Sequence, residues 1–144
     1  MHVETRLKVM ERMYVHTLVD SIRHYGQLGV LDSIIEEKKK VQLSMGKKQA
    51  EQFGITQPEN VFTVLSDIFN CTSWEIKRIH HGFQAKAKKC TLCAYAKKAG
   101  VESPCYMYCL NPMEGMVKGI DPQLDFKVEK TLWSDDACVV SVTK

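Results

Sequence analysis

The chain has 144 residues, 44% of them apolar, which suits one compact domain with an ordinary core. Twenty Lys and Arg against seventeen Asp and Glu leave a formal charge of +3, scattered or along helix faces rather than in one block, so no nucleic-acid partner is expected. The opening stretch MHVETRLKVMERMYVHTLVDSIRHYG carries charges every few residues and lacks a signal-peptide pattern, and no window has the ~18 to 20 apolar residues of a membrane span. A cytoplasmic protein without membrane attachment is therefore expected.

Leu7, Met10, Tyr14, Leu18, Ile22 and Tyr25 recur at three- and four-residue steps and predict an amphipathic helix closed by Gly26. Val30, Leu31, Ile34 and Ile35 lead through EEKKK to Leu43, Ala50 and Phe53, one long or broken helix ending at Gly54. Thr56 and Glu59 have capping-box spacing around Pro58, so a third helix should start there, bury Val61, Val64, Leu65, Ile68 and Phe69, and end near Asn70. Residues 74–84 read as a single strand. Gly100 should end a short helix bearing Cys90 and Cys93, and Ser103-Pro104 should open another bearing Cys105 and Cys109. Phe126, Val128 and Leu132 before SDD, and Cys138, Val140 and Val142 after it, predict a closing hairpin. The order implies a single α+β domain over 1–144, with a helical part at 1–70 packed on a small antiparallel sheet formed within 74–144.

The first four clustered thiols have the spacing C-x2-C-x11-C-x3-C, which matches no standard finger or ferredoxin pattern. In a reducing compartment such thiols point to ligation or reactivity rather than a disulfide framework. Cys90, Cys93, Cys105, Cys109 and Cys138 are the candidate metal ligands, for zinc foremost or for an iron-sulfur cluster. The competing reading makes several of them small buried hydrophobes. Cys105, in the first turn of its helix, is the best candidate for a reactive thiolate. Cys71 has no partner in sequence and reads as structural, and Cys138 should face the core with Val140 and Val142. Glu114, flanked by Met113 and Met116, is the candidate acid or base, with a solvated carboxylate as the bland alternative. Of His80 and His81, adjacent on a strand, at most one can face a given pocket. Tyr95, Tyr106, Tyr108 and Trp133 suit either a small-molecule pocket or a core. No G-x-S-x-G, Walker loop, dinucleotide fingerprint or H-E-x-x-H is present.

The stretch from Cys90 to Val142 resembles the L-2-amino-thiazoline-4-carboxylic acid hydrolase-like family, and the wider 4-vinyl reductase type of small-molecule-binding domain. Cys90 before a helix and Gly100, Cys105 opening the next helix, Glu114 after it and Cys138 beyond a hairpin turn carry the resemblance. The wider type implies an α+β fold holding zinc through cysteines, hence Cys90, Cys105 and Cys138 as ligands. Lys130, Thr131 and Leu132 stand where many relatives have another cysteine, a place that Cys109, Cys93, His80, His81 or Glu114 would have to fill. The hydrolase name implies opening of a thiazoline ring to a carbamoyl-cysteine, with Cys105 or a metal-bound water as nucleophile. Three functions are thus expected to compete: a small-molecule-binding domain with a cysteine-rich metal site, a cyclic-amidine or thiazoline hydrolase, and an interaction module, dimeric through its first two helices.

Overall fold

A computed structural model describes all residues, Met1–Lys144, and has the expected α+β architecture. Five α-helices, α1 (Val3–Gln27), α2 (Leu31–Gln52), α3 (Pro58–Phe69), α4 (Thr91–Ala99) and α5 (Asn111–Ile120), accompany four strands, β1 (Glu75–Ile79), β2 (Gly82–Ala87), β3 (Asp125–Lys130) and β4 (Cys138–Thr143). The strands form one antiparallel sheet in the order β1-β2-β4-β3. No helix is long and apolar enough to cross a membrane.

The pleat sorts the sheet into two faces. Phe83, Ala85 and Ala87 of β2 and Val140 and Val142 of β4 are buried under the helices, and Phe83 pairs with Val142 and Ala85 with Val140 across the ladder. Phe62 of α3 lies over this face, with ring centroids 5.2 Å from Trp74, 5.7 Å from Phe83 and 6.2 Å from Phe126. Aromatic area of this kind dominates burial in a small core.

Backbone meets backbone where α2 crosses α5. A Cβ placed on Gly46 would collide with the Gly115 carbonyl, one on Gly115 with the Gln42 carbonyl, and one on Gly119 with the Lys47 amide. Small residues at these three positions let the two helices touch, and nothing larger fits.

Several expectations need correction. Residues 74–84 form a β-hairpin rather than one strand, because Ile79 pairs with Gly82 around a two-residue turn in which His81 takes a left-handed φ of 62°. The Thr56/Glu59 capping box does not form. Gln57 is the N-cap, with no side-chain hydrogen bond, and Pro58 takes the first turn. The helix after Pro104 does not stop at the cysteines either. It passes through a π-helical turn, Tyr106–Leu110, and runs on as α5. In α1 the buried residues are Val19 and Ile22, in the second half, while Leu7, Met10 and Met13 stay exposed.

Candidate functional site: a thiol pair on the wall of an apolar cavity

One end of the sheet gathers the cysteines. Ala87 at the end of β2 pairs with Cys138 at the start of β4, Cys90 follows three residues later, and Thr72 forms an isolated bridge with Cys90. Asn70 ends α3 in a left-handed conformation, φ 52°, and its amide returns to the Ser66 carbonyl. The chain is thereby turned so that the Cys71 carbonyl accepts the Thr91 amide at 2.8 Å. Two segments nineteen positions apart are clamped together, and their thiols meet.

Cys90 is the N-cap of α4. Its Sγ accepts the Cys93 amide at 3.4 Å, which gives the C-x2-C spacing a physical meaning: the first sulfur satisfies the free amide three residues on. A hydrogen bond donated by the Cys71 thiol is the largest influence on Cys90 and holds its pKa below the ordinary thiol value; the Cys93 and Leu92 amides act in the same direction, against burial. The converse holds for Cys71, which that same hydrogen bond, then burial, keep protonated. The two shifts are opposite in direction, down for Cys90 and up for Cys71. Cys71 is therefore not the isolated structural residue that its place in sequence suggests.

The other thiols are held protonated. Burial pushes Cys93 up to about 12 and Cys138 up to about 11. Cys105 is also raised by burial, although Ser103 and Cys93 donate hydrogen bonds to it, and Cys109 is raised well above the ordinary value by its packing. The expectation that the helix start would make Cys105 the reactive thiolate is thus countered by its burial; the sulfur with the favourable setting is Cys90. Cys138 accepts the Leu132 amide at 3.1 Å, and Cys109 lies 3.6 Å from the Met113 sulfur.

Cys71, Cys90 and Cys109 line a cavity of about 240 Å3 enclosed by α1, α2, α3 and the helical turns around Met107. Its wall is mostly apolar, from Leu18, Phe69, Trp74 and Met107 among others, with Lys38, Gln42 and Gln49 from α2 as polar exceptions. That is the size and character of a site for one small molecule. A second void of about 20 Å3 is lined by Cys90, Cys93, Cys105, Cys109 and Cys138, all five of the expected ligands. Cys90 also borders a surface groove with Lys88, Lys89 and Lys97.

Two expected candidates lie elsewhere. Glu114 is placed between Lys39 (3.9 Å) and Lys118 (3.7 Å) and lines neither cavity. His80 and His81 are exposed, at the β1–β2 turn. That turn is at the far end of β2 from Cys90, ~17 Å away for a six-residue strand. No three His, Cys, Asp or Glu side chains are arranged to hold a metal ion, so the thiols as they stand do not make a zinc or iron-sulfur shell.

A family model for L-2-amino-thiazoline-4-carboxylic acid hydrolase matches residues 7–139. The chain belongs to that family. The match covers nearly the whole chain, from the first turns of α1 into β4, and so includes all six cysteines as well as every helix around the cavity. Comparison with curated proteins and with solved structures returns no match. In this hydrolase-family chain, sequence reasoning missed Cys71, Gln42 and Gln49. The glutamines belong to a charged stretch of α2 that looks solvated in sequence, and Cys71 meets its partner only through the Thr72–Cys90 bridge.

Proposed function

We propose that the chain hydrolyses a small 2-amino-thiazoline acid, with Cys90 as the attacking thiolate and Cys71 as the thiol that holds the proton beside it. The observation that carries this reading is the place of Cys90: N-cap of α4, its Sγ accepting the Cys93 amide, on the wall of an apolar cavity of about 240 Å3 that Cys71 also lines. Family membership supplies the reaction class, which a fold by itself would not.

The chemistry balances with these groups alone. Cys90 Sγ adds to the amidine carbon of the ring. The bond from that carbon to the ring sulfur breaks, the pair stays on sulfur, and the departing thiolate takes the Cys71 proton. The result is an isothiourea on Cys90. Water then adds to the same carbon, its oxygen becoming the carbamoyl oxygen. One of its hydrogens restores Cys71, the other ends on the former ring nitrogen, and Cys90 leaves as thiolate. Exchange of one thiolate for another makes the first step nearly balanced, and the low pKa of Cys90 favours its departure in the second. Covalent catalysis of this kind splits one hard hydrolysis into two easier steps.

The test is release of a new thiol from 2-amino-thiazoline-4-carboxylate. Wild-type protein is expected to release it, and Cys90→Ser to lose the activity with its fold intact. Full activity in a folded Cys90→Ser protein would refute the assignment.

A second reading rests on the 20 Å3 void, about the space of one water or ion, walled by Cys90, Cys93, Cys105, Cys109 and Cys138. Zinc or an iron-sulfur cluster would draw its ligands from these thiols, after rotations that bring them into a metal shell. No step of the hydrolysis depends on it.

A further inference from the structure

Two side chains that line the larger cavity each carry a buried polar atom with no partner. Gln42 Oε1 and Gln49 Oε1 are buried and accept no hydrogen bond. The orientation of Gln42 is tied down, because its Nε2 donates to the Met107 carbonyl at 2.8 Å, within the π-helical turn. Oε1 is thus left as an acceptor beside the cavity. An unmet buried carbonyl is costly, and native structures keep one chiefly where a ligand or water completes it. Gln49 is seven residues further along α2, ~10 Å along the axis, outside the reach of a single small ring bound at Gln42.

One turn before Gln42 is Lys38, which also lines the cavity. Residues four apart on a helix are neighbours, ~5 to 6 Å between Cβ atoms. The next two lysines are engaged, Lys39 with Glu114 and Lys40 with Glu37, whereas the Lys38 ammonium makes no ion pair and lies 5.9 Å from the centre of the Tyr108 ring. The wall therefore presents one cation and one bare acceptor side by side.

We propose that Lys38 and Gln42 read the two ends of an amidine acid: Gln42 Oε1 accepts from the exocyclic amino group, and Lys38 Nζ pairs with the carboxylate. This rests on the hydrolase reading of the same cavity. Gln42 excludes rings that lack an amino donor, since these leave its carbonyl unmet, and Lys38 excludes rings that lack the acid.

The test uses Cys90→Ser protein, which separates binding from turnover, and calorimetric titration with three probes: 2-amino-thiazoline-4-carboxylate, 2-amino-thiazoline without the acid, and thiazolidine-4-carboxylate without the amidine. Gln42→Leu is expected to weaken binding of the two amidines roughly tenfold or more and to spare the thiazolidine acid. Lys38→Met should weaken the two acids and spare the neutral-tailed amidine. Melting curves establish that each variant is folded. Equal losses for all three probes, or no loss, would overturn the proposal while leaving the hydrolase reading standing if wild-type protein turns over. Failure of every probe to bind and of wild-type protein to react would remove both. Loss of acid binding in Lys88→Met or Lys97→Met but not in Lys38→Met would move the site to the outer groove and overturn it as well.

Discussion

The proposed hydrolysis turns on which of six sulfurs carries a charge. The pKa of Cys90 is lowered because three donors are aimed at it, from the Cys71 thiol and from two amides at the α4 terminus. A depressed pKa means that the thiolate persists as pH falls from 9 toward neutrality, while the thiols raised by burial are fully protonated there. Iodoacetamide at pH 7 should therefore label Cys90 first, with Cys93, Cys105 and Cys138 slow. Removal of the donor in Cys71→Ala should slow Cys90 labelling at pH 7 by roughly tenfold, which a rise of about two pKa units from about 6 would produce, and Cys71→Ser, which keeps an O–H, should restore most of it. Labelling rates read by peptide mass spectrometry decide this; an unchanged Cys90 rate in Cys71→Ala would show the pair to be inert. The sequence made the cluster legible through its spacing and suggested helix starts near Cys90 and Cys105, but the ranking of the two depended on burial. Cys105 is only 8% exposed, packed in the main core cluster, and desolvation there outweighs the helix start.

At the scale of elements, the cavity depends on how closely α2 approaches α5. Gly46 and Gly115 meet backbone to backbone, so a single methyl must push the helices apart and shift Gln42, which shares the contact through its carbonyl. Gly46→Ala and Gly115→Ala are each expected to cost about 3 kcal/mol or more, even after the ~1 kcal/mol that alanine gains in helix propensity, because the colliding atoms are backbone that cannot rotate away. Denaturant unfolding measures this, and a loss under 1 kcal/mol would mean that the helices part easily. Helix positions were readable from apolar spacing and from Pro58, Gly100 and Pro104. The β1–β2 hairpin was not, because its turn is His80-His81 and a histidine with positive φ lacks the Asn-Gly or Gly-rich mark of a tight turn. The run from Tyr106 into α5 was hidden for a related reason: a π-helical turn followed by Asn111-Pro112 looks like a helix end in sequence, yet the chain stays helical through Pro112, and within that turn the Met107 carbonyl accepts the Gln42 side-chain amide.

Across the whole molecule, the site is shared between halves that look separate in sequence. The resemblance visible in the last third of the chain concerns the cysteines. The family match reaches back to residue 7, and α1, α2 and α3 supply Tyr14, Leu18, Lys38, Gln42, Leu65 and Phe69 among others to the cavity that the thiols border. The family match therefore extends over the unit that forms the cavity, and not only over the segment that bears the sulfurs. The metal reading is tested at this scale too. Anaerobically purified protein is expected to carry less than stoichiometric zinc, iron and sulfide and to keep its melting temperature in chelator; one equivalent of metal whose removal unfolds the domain would favour the closed thiolate shell instead.

The measurement that bears most directly on the account is acid-quenched reaction of the protein with 2-amino-thiazoline-4-carboxylate, followed by peptide mapping of the covalent intermediate. An isothiourea adduct on Cys90, absent from Cys90→Ser and present in Cys105→Ser, is the result the account predicts. An adduct on Cys105, or turnover in Cys90→Ser without any adduct, would contradict it.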